Sequence, residues 1–196
     1  MYCDGEYKPK LRGILHYHSS FIIPPLGFCI LLYRCNTLLK VVLSLNLSIC
    51  LFLCLFTSGI YHRIDFKKNE EIIIRRMDHA CILLVTFGSY LPICFFMLPN
   101  LYYFYFLCVF TILGIIWIMN GYESMIPFSI NNFSILFILN EFKNPRYALY
   151  CFLILLNYSI GTIIFKLRIT NNYHEIFHIF VIISMILTYC MHYVLF

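Results

Sequence analysis

His174-Glu175-Ile176-Phe177-His178 carries the densest potential for chemistry in the chain. In a helix, His174 and His178 share one face with about 6 Å of rise between them. Two imidazoles so placed can hold one zinc ion; the alternative is two unrelated histidines at a membrane edge. The segment also matches His-Glu-x-x-His, in which the Glu would be a general base. Here, however, the motif begins an apolar run, and no third ligand follows at the spacing of soluble zinc proteases. Glu175 therefore reads as an acidic residue favoured in the first turn of a helix.

The elements that must position these histidines are membrane spans. The 196 residues are 62% hydrophobic and 12% charged, with a mean hydropathy of +0.84. A soluble domain is nearer 45–50% apolar and about 25% charged. Uncharged runs of about 20 residues imply helices, which satisfy their own backbone in lipid. The short alternating segments of a barrel are missing. The expected fold is an all-α bundle of seven transmembrane helices, with a short basic head at 1–12 and a single domain over 13–196. The first run reads as a retained helix, not a cleaved leader.

The spans are read at 13–33, 38–61, 78–98, 101–119, 127–142, 147–165 and 174–196. Pro24-Pro25 should kink the first, and Asp78 is expected to open the third, as an N-cap or as a site residue. The fifth, 127–142, is the shortest and carries Asn131 and Asn132. Most of the cysteines lie within apolar runs, which argues against a disulfide framework or a cysteine metal site. The net charge of +5 fits loops facing anionic lipid. No basic stripe with interleaved aromatics suggests nucleic acid.

Seven spans make orientation testable. With the N-terminus cytoplasmic, the inner segments hold Lys8, Lys10, Arg12, Arg63, Lys67, Lys68, Arg75, Arg76, Lys166 and Arg168. The outer segments hold Arg34, Lys40, Lys143 and Arg146, so the positive-inside rule favours this arrangement. His62, Asp78, His79, His174 and His178 then fall at one depth, near the inner face. Ionisable groups within spans are costly and tend to mark function.

Three nitrogen ligands, His62, His174 and His178, plus one water would match a catalytic zinc site. Asp78 could hold that water or orient a ligating ring. Ser58, four residues before His62, shares its face; the plainer reading is a small helix-packing residue beside Gly59. His79 and His16 are candidates for a supporting shell, with interfacial or surface positions as the plain alternative. Water activated by zinc hydrolyses amides and esters, and a site near the inner leaflet would meet lipids first.

The pattern resembles hemolysin III and the wider progestin and adiponectin receptor family of seven-helix membrane proteins. The matching pieces are Lys8-Pro9-Lys10-Leu11-Arg12-Gly13-Ile14-Leu15-His16, Ser58-x-x-x-His62, Arg76-Met77-Asp78-His79, Gly88-Ser89-Tyr90-Leu91-Pro92, Tyr158-x-x-Gly161 and His174-Glu175-Ile176-Phe177-His178-x-x-Val181. The resemblance implies zinc bound by His62, His174 and His178, with Asp78 near the zinc water and Ser58 in the pocket. The receptor branch is associated with ceramide hydrolysis, which makes membrane lipids, ceramide among them, the expected partners. In that scheme Ser58 helps stabilise the developing oxyanion. The hemolysin III branch is named for cytolysis by membrane pores, and a receptor role is the third reading. Thr188 stands where hemolysin III relatives often carry an additional histidine.

Overall fold

The computed structural model describes residues 2–3, 6–7, 13–98, 101–122, 127, 130, 144–168, 170 and 172–196. Tyr2–Cys3 (β1) and Glu6–Tyr7 (β2) pair antiparallel within the basic head. Six helices follow among the described residues: α1 (Ile14–Leu32), α2 (Leu38–Arg63), α3 (Lys68–Phe96), α4 (Tyr102–Met119), α5 (Pro145–Leu167) and α6 (Tyr173–Leu195). All six are long and apolar enough to cross a membrane. The architecture is thus a helical membrane bundle with six described helices, not the seven expected. The anticipated fifth span, 127–142, lies outside the described residues apart from Pro127 and Ile130.

Local chemistry sets several helix ends. The Thr37 hydroxyl accepts from the backbone N–H of Lys40 at the start of α2 (3.4 Å). The Asn144 side chain accepts from the backbone N–H of Arg146 (3.0 Å), with Pro145 in the first turn of α5. These are the residue types that satisfy orphan N–H groups or dispense with one. The third helix corrects the sequence reading. It begins at Lys68, not Asp78, and the Glu70 carboxylate accepts from the backbone N–H of Lys67 (3.0 Å). Asp78 is therefore mid-helix and caps nothing. The charged segment read as a loop is mostly the first turns of a helix that starts before its apolar stretch. α1 continues through Pro24 and Pro25.

α1 packs on α2 and α6, α2 on α3, α3 on α4, and α5 on α6. Leu31, Leu47, Leu51, Leu55 and Met185 form the centre of the main apolar core. Lipid tails are as apolar as leucine, so close backbone approach and polar contacts must add to helix association. The Tyr189 hydroxyl donates to Ser48 Oγ (2.8 Å) and lies 3.3 Å from the Pro24 carbonyl, tying α6 to α2 and α1. Asn157 on α5 donates to the Ser184 hydroxyl of α6 (2.7 Å). His192 on α6 reaches the Ser89 carbonyl of α3 (3.0 Å).

The two ends of the bundle are distinct. At one end Arg76 Nη1 of α3 donates to the Met119 carbonyl at the end of α4 (2.8 Å). At the other, Tyr147 near the start of α5 packs with Ile93 and Met191.

The α1–α2 contact is tight because of Gly59. A Cβ there would stand 2.7 Å from both the backbone N and Cα of Tyr17. Backbone cannot swing aside as a side-chain tip can, so any larger residue must part the two helices. Gly59→Val is expected to cost about 1–3 kcal/mol. A lowered melting temperature in detergent, measured against wild type, checks this; an unchanged value would show that the approach is not needed.

Candidate metal centre

His62 lies in the last turn of α2, and His174 and His178 in the first turns of α6. The two segments meet at the end of the bundle where Arg76 caps α4. All three rings are buried, at 5%, 8% and 3% exposure. One ligand nitrogen from each lies within 4.8 Å of the others. The Nε2 atoms of His62 and His174 are 3.2 Å apart. Two nitrogens held by one zinc at about 2.0–2.1 Å in tetrahedral geometry stand roughly 3.3 Å apart. The donor set and its bite therefore fit a single metal ion.

The expected supporting residues divide. His16 is 3% exposed, not the surface group it could have been. Its ring stacks on His178, with centroids 3.9 Å apart and planes 17° apart. Its Nδ1 lies 3.0 Å from Ser58 Oγ, and its Nε2 lies 3.4 Å from the His178 carbonyl. Ser58 is buried beside it. α1 is brought here by Gly13, whose φ of 78° turns the chain into the helix. A Cβ on Gly13 would sit 2.8 Å from His62 Cβ. Asp78 is buried and His79 half-buried, and both line the same cavity as the histidines.

Glu175 is buried, yet it is absent from the cavity lining. It sits one residue, about 100°, around the helix from His174. His192 lies at the opposite end, between the Thr188 and Ser89 carbonyls.

The cavity has a volume of about 420 Å³. It is lined mainly by α3, α5 and α6 and runs from the histidines to Cys151 and Met191, near the far end. Arg75 and Lys166, both exposed, stand at the histidine end of its lining. Sequence reasoning did not anticipate this chamber, though its signal was present. Asp78, Ile82, Val85, Thr86 and Ser89 recur at helical spacing on α3. Cys151, Leu155, Tyr158 and Thr162 do so on α5, and Phe177, Val181, Met185 and Thr188 on α6. In a chain this apolar, such stripes resemble ordinary packing faces.

A family model described as haemolysin-III related matches residues 6–189, a range that contains every residue of the centre. No curated protein and no solved structure matches the chain.

The geometry predicts one divalent metal per purified chain by elemental mass spectrometry. His174→Ala/His178→Ala should reduce it to a tenth or less of wild type, on the order expected when two of three ligands go. Metal content equal in the two proteins would remove the centre.

Proposed function

The chain belongs to the haemolysin-III-related family, and from that premise we propose that it is a zinc-dependent hydrolase of lipid amides, with ceramide as the model substrate. The observation that carries this reading is the junction of a three-histidine cluster with a deep, largely apolar chamber. Of the common metals, zinc suits an all-imidazole site that keeps a position open. His62, His174 and His178 would hold it. When bound, zinc supplies Lewis acidity to a carbonyl and lowers the pKa of a water to about 7.

The chain's own groups do the rest. Val85, Ile154, Leu155, Val181 and Met185 line the chamber. They would take up an acyl chain and exclude bulk water from the reacting end. Asp78, a carboxylate lining the cavity with the histidines, would accept the proton of the attacking water and deliver it to the leaving amine. Ser58, also in the lining, contacts the reacting end. Such a site joins hydrophobic binding to polar chemistry at one depth, as cleavage of an amphiphile requires.

The seven-span topology belongs to this reading. α4 ends at the histidine end and α5 begins at the other, which supports a further crossing between residues 122 and 144. Orientation follows from charge. Arg63, Lys67, Lys68, Arg75, Arg76, Lys166 and Arg168 belong to the histidine end, and Arg34, Lys40 and Arg146 to the other. With more basic residues, the histidine end faces the cytoplasm, together with the N-terminus.

Purified protein in detergent should release fatty acid from ceramide. Asp78→Asn should retain its metal and lose about 100-fold or more in turnover, the usual scale for a positioned acid–base group. Turnover that survives loss of all three histidines would overturn the reading. Chain-dependent release of dye from vesicles without amide cleavage would favour the cytolytic alternative instead.

A further inference from the structure

The His16 contacts define which way hydrogen bonds run through the site. The His178 carbonyl can only accept, so His16 Nε2, 3.4 Å away, carries the ring hydrogen. A neutral imidazole protonated at Nε2 has a bare, accepting Nδ1. Ser58 Oγ, 3.0 Å from that nitrogen, must therefore donate its proton to it. The ring cannot readily turn to reverse this. It is stacked face to face on His178 and is 3% exposed. Its helix is pressed on α2 at Gly59, next to Ser58 itself.

We infer that His16 is a positioning residue that fixes Ser58 as a hydrogen-bond acceptor toward the cavity, making the site selective for substrates with an amide N–H over otherwise matched acyl compounds lacking one. The inference rests on the lipid-hydrolase reading and specifies its substrate. It also reassigns Ser58. With its proton held by His16, the hydroxyl has lone pairs, not hydrogen, for the cavity to which both residues contribute. A hydroxyl so held is a poor donor to a developing oxyanion, the role expected from the sequence. It matches a secondary amide, whose N–H is the one donor at the scissile bond. An ester or ketone would present an acceptor or nothing at that point, leaving a buried oxygen unanswered. Sites built around a substrate N–H reject analogues without it far more strongly than apolar pockets reject a change of size.

The test is equilibrium binding to detergent-purified, metal-loaded protein by calorimetry. The probes are a long-chain secondary amide and the ketone in which CH₂ replaces the N–H. Wild type should prefer the amide by about tenfold or more, the scale of one buried hydrogen bond. Ser58→Ala and His16→Phe should bring the two affinities within about twofold of each other. Phenylalanine keeps the stacking face but cannot accept a proton. His16→Gln, with an acceptor and a donor on one side chain, should restore the preference. Metal content and melting temperature, followed in every variant, separate this effect from a general loosening. Equal binding of amide and ketone by wild type would overturn the inference and leave the hydrolase reading standing. A preference that persists in Ser58→Ala would do the same, even were His16→Phe not to fold. Failure of wild type to bind either probe would remove the lipid reading and this inference with it.

Discussion

Three imidazoles from segments more than a hundred residues apart in sequence must meet at one depth, and that requirement disciplines the bundle. His62 reaches His174 only because α2 ends where α6 begins. A slip of one turn in either helix would move its side chain by about 5.4 Å and break the contact. A metal ion at that point would tie the end of α2 to the start of α6. The same convergence places Asp78 of α3 at the head of the chamber.

Polar groups elsewhere in the bundle obey a related constraint. In a lipid-surrounded interior an unmet donor is expensive, and here several such groups join one helix to another. Tyr189 joins α6 to α2 and α1, Asn157 joins α5 to α6, and His192 joins α6 to α3. Each is a contact between elements, not a local turn. The apolar core fills the volume, while these bonds and the close approaches at Gly59 and Gly27 select one arrangement of otherwise similar cylinders. Gly27 shows the shape requirement most directly: the Tyr189 ring occupies the space where its side chain would stand.

Much of this arrangement was legible because membrane spans have a strong signal. Hydropathy located five of the six described helices to within a few residues. Topology then brought His62, Asp78, His174 and His178 to one depth without any contact being known. The third helix defeated the same reasoning at its start. Lys68, Glu70, Glu71, Arg75 and Arg76 read as a loop because charge is excluded from lipid. It is not excluded from a helix that begins outside the apolar layer and uses Glu70 to bond the backbone of Lys67. Hydropathy reports the solvent of a segment, not its backbone. From sequence, His16 fits a surface position as well as a supporting one. Its burial depends on how closely α1 approaches α2, a property of Gly13 and Gly59 that composition does not encode.

The chamber was the least legible feature, and its physical basis explains why. A cavity consists of side chains that fail to meet, and no single helix records that failure. The stripe of Asp78, Ile82, Val85, Thr86 and Ser89 on α3 would be an ordinary packing face if α5 lay against it. Instead the space between them is open, and polar groups lie along a face that a packed apolar core would fill with methyl groups. Thr86 and Ser89 return their hydroxyls to the carbonyls of Ile82 and Val85 (3.2 and 2.7 Å). A hydroxyl satisfied within its own helix costs little beside lipid and little beside an apolar guest. The wall is therefore stable with or without an occupant. The imidazoles of His62, His174 and His178 and the carboxylate of Asp78 line the same cavity.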